Sequence, residues 1–151
     1  MIRAMKPTVY LDSSVPSYWL EPQGDDPVLR VRHLLTRRWW TEELPKFEVF
    51  VSQIVLREIG RGQSKRAAER STLLEGFSIL PVTPEVERVA AFYVENLAMP
   101  VRDRRDAFHL ALASVHEIDY LLTWNFAHLA NARKRMHFER WRFKVAVNKV
   151  W

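Results

Sequence analysis

The chain has 151 residues, a formal net charge of +5 and no cysteine. That length suits a single domain, a hydrophobic share of 48% can build a core, and the absence of thiols excludes a disulfide scaffold, a thiolate zinc site and a cysteine nucleophile. The basic balance favours a polyanionic partner, nucleic acid first, although the same charge also serves plain solubility.

The opening "MIRAMKPTVYLD" holds no apolar stretch of signal-peptide length. No apolar run approaches the roughly 18 residues of a membrane span. The expectation is a cytoplasmic protein with no membrane segment.

The first strand is expected in "TVYLD", 8–12, which is β-branched and aromatic after Pro7. "SSVPSYW" reads as a turn into a short helix. Residues 25–44 begin with an Asp cap and a proline in the first turn. There Val28, Val31, Leu34, Leu35 and Trp39 fall at helical spacing and define an apolar face. "FEVFVS", 47–52, is a second strand. Ser52 caps the helix "QIVLREI", which Gly60 and Gly62 stop. "SKRAAERSTLLEG" is a helix and "FSILPV" a short strand. "TPEVERVAAFYVENLA" is a helix capped by Thr83 with Pro84 in its first turn. "DRRDAFHLALASVHE" is a helix, "YLLTW", 120–124, a strand, and "FAHLANARKRMHFERW" mostly helical. "RFKVAVNKV" reads as a last, edge strand. Strands alternating with helices imply an α/β fold, a three-layer α/β/α sandwich around a mainly parallel sheet. One domain spans 1–151, with a basic segment at 132–151.

Familiar phosphate and hydrolase machinery is missing. The four glycines, at 24, 60, 62 and 76, build neither a dinucleotide fingerprint nor a P-loop. There is no H-E-x-x-H and no G-x-S-x-G elbow.

In open α/β sheets, ligands gather outside the carboxyl ends of the strands. Asp12 ends the first strand, Glu58 lies in the helix leaving the second, Asp106 opens the helix before "YLLTW", and Asn125 follows that strand. They are 46, 48 and 19 residues apart, so only folding can unite them. Each has a plainer reading. Asp12 suits a cap for "SSVPS". Glu58 borders the buried stripe and suits a pair with Arg57 or Arg61. Asp106 suits the third position of a helix capped by Asp103, where dipole and free amides favour acids. His109 suits either an orienting group or a packed core histidine. If the acids converge, a cation must offset the cost, because two carboxylates about 5 Å apart repel by roughly 3 kcal/mol at a dielectric near 20. Oxygen ligands select hard ions such as Mg²⁺ or Mn²⁺. Such ions support attack of water on a phosphodiester.

"VYLDSSVPS", "VSQIVLREI", "DAFHLALAS" and "YLLTWNFAHLAN", in this order, resemble the PIN-domain family and its VapC-like toxins of type II toxin–antitoxin modules. The resemblance covers residues 8 to about 131. It implies a Mg²⁺- or Mn²⁺-dependent endoribonuclease, usually a homodimer, held inactive by a cognate antitoxin protein. It maps the family acids onto Asp12, Glu58 and Asp106, the following hydroxyl onto Ser13 or Ser14, and the hydroxyl near the fourth position onto Thr123. The fourth position, often Asp, is Asn125 here, which brings a carbonyl oxygen without charge.

Arg102, Arg104 and Arg105 border the expected site and suit RNA phosphates. From Arg133 onward the chain carries seven basic residues against one acid. Arg133, Lys134 and Arg135 there suit RNA or antitoxin contact, or simply a solvated helix. The alternative function is a PIN-like RNA- or protein-binding module without activity, for which Asn125 speaks. A small-molecule phosphatase on the same metal logic is a third reading.

Overall fold

The structure is a computed structural model and describes residues 5–62, 64–96, 104–124 and 144–147. Five strands, β1 (Thr8–Leu11), β2 (Glu48–Ser52), β3 (Ser78–Leu80), β4 (Tyr120–Thr123) and β5 (Lys144–Val147), form one sheet in the order β3-β2-β1-β4-β5. Every pairing is parallel. Val9 stands beside Val49 on one side and Tyr120 on the other. Among the described residues the helices are α1 (Ser14–Trp19), α2 (Pro27–Glu42), α3 (Gln53–Ile59), α4 (Ser64–Leu73), α5 (Pro84–Asn96) and α6 (Arg104–Val115). A 3-10 turn, Leu44–Lys46, follows α2.

The topology follows from handedness. Strand order runs outward from β1 to β2 and β3, then returns to β4 and β5. Right-handed crossovers therefore put α1–α4 on one face and α5–α6 on the other. This is the three-layer sandwich that the alternation of strands and helices implies. The order reverses between β1 and β4, and that switch point is where such sheets open a crevice.

Local chemistry sets the helix starts. Asp26 accepts the amide of Val28 at 2.8 Å, with Pro27 in the first position of α2. Ser52 accepts the amide of Val55 at 3.3 Å, and Thr83 accepts that of Val86 at 3.3 Å. Helix α6 ends at Glu117, whose φ of 53° is left-handed, while the amide of Ile118 reaches back to the Ala113 carbonyl at 2.9 Å.

The core lies on the sheet and beneath α6. Tyr10, Leu11, Leu110, Leu112 and Leu121 are fully buried, and each large apolar side chain removed from water stabilises by about 1.5–3 kcal/mol. Ala107 and residues 109–114 of α6 are all buried, the pattern of a helix covered on every side.

One expectation is corrected. The buried side of α2 is His33, Thr36 and Trp39, whereas Val28, Val31 and Leu34 are 53–58% exposed. The polar stripe wins because hydrogen bonds satisfy it: His33 Nδ1 meets the Tyr18 carbonyl at 3.1 Å, and Thr36 accepts the indole N–H of Trp124 at 2.9 Å. The predicted helix over 126–141 lies outside the described residues. The last strand is present as β5, at the sheet edge beside β4. Among the described residues, no helix is long and apolar enough to cross a membrane.

Candidate active site

Asp12 follows β1 directly at the switch point and is only 4% exposed. Its Oδ1 accepts the Ser14 amide at 3.0 Å and also the Ser14 hydroxyl. Its Oδ2 accepts the Thr123 hydroxyl at 2.5 Å, from the end of β4. The local turn and the site geometry thus use the same carboxylate. Ser14 Oγ in turn accepts the Trp124 amide at 2.9 Å, so both strands that flank the switch point hold the acid in place. Arg32 lies against the rings of Tyr18 and Trp124, at 5.4 and 5.6 Å, and covers this end of the sheet.

Burial pushes the Asp12 carboxyl above its ordinary range, with the charge of His109 and the hydrogen bonds of Ser14 and Thr123 opposing. Glu58, on α3, goes the other way. Its partial burial raises it, but the His109 hydrogen bond and charge, the Ser13 hydroxyl and Arg105 outweigh that and leave it below the usual range. Ser13 donates to Glu58 Oε2 at 3.1 Å, which ties Glu58 to the residue that follows Asp12. Arg105 approaches the same oxygen at 3.8 Å. The partners of Glu58 thus come from α6 and the turn after β1, whereas the sequence suggested Arg57 or Arg61.

His109 is 2% exposed and joins two elements. Its Nε2 meets Glu58 Oε1 at 2.9 Å, and its Nδ1 meets the Tyr10 hydroxyl at 2.7 Å. Tyr10 also meets Ser52 Oγ at 2.8 Å. Burial lifts the phenol well above its ordinary range, with the Ser52 bond opposing, so Tyr10 stays a neutral hydroxyl. An ionised Glu58 only accepts, so Nε2 carries a proton. The other side of the ring, Nδ1, is held by the Tyr10 hydroxyl, which is itself held by Ser52. Sequence reasoning missed Tyr10 and Ser52. The signal was available: a phenol on a buried strand needs a hydrogen-bond partner, and Tyr10 shares its face of β1 with Asp12.

Asp106 lies half-buried in the first turn of α6, one turn before His109 on the same side. Arg104 and Arg105 are exposed at the same helix start. Asn125, Arg102, Arg133, Lys134 and Arg135, with the expected cap Asp103, lie outside the described residues. Among the described residues, no three His, Asp or Glu side chains are gathered into a ready-made metal cluster. The donor chemistry nonetheless fits a hard cation. Asp12 is a desolvated carboxylate, costly to ionise without a positive charge nearby, and it offers only oxygen.

The pattern of the PIN domain matches residues 9–132. The chain belongs to the PIN-domain family. Solved PIN-fold structures agree in shape at low identity. VapC20 of Mycobacterium tuberculosis, described as a sarcin-ricin loop cleaving toxin, is 18% identical with a TM-score of 0.61, over 85% of this chain and 95% of that one. VapBC2 of Rickettsia felis, solved on a DNA fragment from its promoter, is 12% identical with a TM-score of 0.57, over 94% and 99%. VapBC-1 of nontypeable Haemophilus influenzae is 14% identical with a TM-score of 0.59, over 91% and 97%. No curated protein matches the sequence closely enough to count as a relative. Hydrogen bonds join Asp12 to Thr123, and Ser13, next to Asp12, to the Glu58–His109 pair.

Proposed function

We propose that this PIN domain is a Mg²⁺- or Mn²⁺-dependent endoribonuclease, the toxin of a toxin–antitoxin module, acting in the cytoplasm as a homodimer under a cognate antitoxin. The observation that carries the reading is the buried Asp12 carboxylate, held at the switch point by the Ser14 hydroxyl at the start of α1 and the Thr123 hydroxyl at the end of β4. The likeness to VapC20, a sarcin-ricin loop cleaving toxin, and to the two VapBC assemblies supports the substrate class and the partner.

Asp12, Glu58 and Asp106 would hold the ion, with Asn125 as a neutral fourth group. When bound, the ion supplies charge neutralisation at the phosphodiester and makes attacking water more acidic. The chain supplies the rest. Ser14 and Thr123 fix both oxygens of Asp12. Ser13 and His109 fix those of Glu58, so its carboxylate need not reorganise when charge develops. Asp12 and Glu58 are pushed in opposite directions, which separates a reluctant anion from a permanent one. Arg104 and Arg105, at the start of α6, would meet backbone phosphates, and Arg133, Lys134 and Arg135 would add further RNA contacts.

The test is cleavage of RNA by the purified chain with Mg²⁺ or Mn²⁺ and with EDTA. Metal-dependent cutting that Asp12→Asn and Asp106→Asn abolish supports the reading. Binding without cutting would favour the inactive binding module that Asn125 suggests.

A further inference from the structure

A groove of about 790 Å³ opens between α3, the end of β3 and the start of α6. Its apolar floor is Ile54, Ile79, Val82 and Phe108, and its rim carries Arg57, Arg61, Arg104 and Arg105. Glu58 forms one wall, so the groove is continuous with the candidate site. Glu58 and Glu87 are its acids, which leaves an excess of arginine. Ile79 and Val82 are 47% and 37% exposed, an apolar surface left in water inside a basic rim.

We propose that this groove seats an unpaired nucleotide next to the scissile bond, its base laid on Phe108 and Val82 and its phosphates held by Arg57 and Arg61. The proposal rests on the RNA-cleaving reading and names a subsite for it. Three observations commit it to single-stranded nucleic acid. Cations stand on both sides of the floor, on α3 and on α6, as a polyanion running between them requires. The floor carries the Phe108 ring and three aliphatic side chains, which suits the face of a base, and a duplex hides its base faces. The rim is also built firmly: Arg70 reaches from α4 to the Ile59 and Arg61 carbonyls, at 3.1 and 2.7 Å, and fixes the end of α3 that carries Arg57 and Arg61.

The experiment titrates the full chain, in EDTA, into a short fluorescein-labelled single-stranded oligoribonucleotide and into the same strand annealed to its complement. Phe108→Ala weakens the single strand roughly tenfold, the loss of one stacked base, and leaves the duplex unchanged. Phe108 packs against the core, so Val82→Glu at an exposed position serves as a second variant; its charge weakens both forms and its loss of apolar floor weakens the single strand further. Arg57→Ala weakens both forms and lowers the slope of log affinity against log salt by about one. Single-strand affinity untouched by both Phe108→Ala and Val82→Glu overturns the proposal, as does an equal loss for both strand forms. Unchanged RNA binding together with lost binding of a labelled poly-glutamate peptide also overturns it, and assigns the groove to an acidic protein. Selective binding in EDTA without metal-dependent cleavage would sink the nuclease reading and leave the subsite. Cleavage indifferent to both substitutions would do the reverse.

Discussion

His109 and Glu58, 51 residues apart in sequence, meet at 2.9 Å, and the other nitrogen of the same imidazole meets Tyr10 at 2.7 Å. A buried residue of the first strand is therefore coupled to a carboxylate on α3 through a helix that forms near the end of the chain. Glu58 fixes the proton on Nε2, and the Tyr10 hydroxyl holds the other edge of the ring.

Tyr10→Phe keeps the ring and removes the hydrogen bond to His109 Nδ1. The fold should survive, with a stability loss of about 1 kcal/mol for the buried hydrogen bond. The expected effect on RNA cleavage is a roughly tenfold fall in kcat with KM nearly unchanged, as for other groups that orient a ligand. Steady-state kinetics measure the split, and nitrogen NMR of the imidazole reports the lost hydrogen bond at Nδ1. An unchanged kcat would show that the chain from Ser52 to Glu58 is packing alone.

Asp12 carries a sign that separates function from stability. Its carboxyl is raised in the folded state, so the fold prefers the protonated form. Its stability is fully present below the unfolded carboxylate range and is lost as pH rises through the raised value. Asp12→Asn should therefore melt higher than the parent at pH 7, by about 2–4 °C for each kcal/mol relieved in a chain of this size. The advantage should shrink as pH falls. Glu58 has the opposite sign: its carboxyl is lowered, so its contribution is present above the usual range and lost as pH falls through the lowered value. Thermal melts across the acid range, with and without Mg²⁺, check both. Mg²⁺ should raise the melting temperature of the parent and leave Asp12→Asn unchanged. An Asp12→Asn variant that melts lower at pH 7 would contradict the assignment.

At the other end of the sheet a clamp joins the first strand to the fourth. Asp119 accepts the amide and hydroxyl of Thr8 at 2.9 and 3.2 Å, and Thr8 Oγ1 accepts the Asp119 amide at 2.9 Å. The clamp is exposed, so Asp119→Ala should cost only about 1 kcal/mol in denaturant unfolding. Cleavage should be unaffected, because Asp119 precedes β4 whereas Asp12 and Thr123 lie at the opposite strand ends. A loss of cleavage without a loss of stability would mean that this end of the sheet reaches the site.

The orientation of α2 gives a direct contrast. Leu34→Glu, at an exposed position, should change stability by no more than about 0.5 kcal/mol. Trp39→Ala should cost about 3–5 kcal/mol. Chemical denaturation of the two variants orders them, and the reverse order would return Val28, Val31 and Leu34 to the core.

Much of this was legible in the residues. Alternation of β-branched strands with capped helices gave a parallel sheet, and Asp12, placed after "TVYL", marked a strand's carboxyl end. Helix α2 was misread because two stripes fit the same spacing. Residues 28, 31 and 34 are apolar, and 33, 36 and 39 are partly polar. Hydropathy favours the first, but the carbonyl of Tyr18 and the indole of Trp124 satisfy the second. Tyr18 lies in the preceding helix, 15 residues from His33, and Trp124 is 88 residues from Thr36. Tyr10 and Ser52 were missed for a related reason: each looks like an ordinary strand residue until α6 brings His109 to them. Glu58 was found as a boundary acid, but its partners, Ser13 and His109, are 45 and 51 residues away.

The most direct measurement of the central claim is RNA cleavage by the purified chain with Mn²⁺ or Mg²⁺, repeated in EDTA and with Asp12→Asn. The account predicts cutting that appears with the metal, disappears in EDTA, and is lost in a variant that still melts at or above the parent. Cutting that survives both EDTA and Asp12→Asn would contradict it.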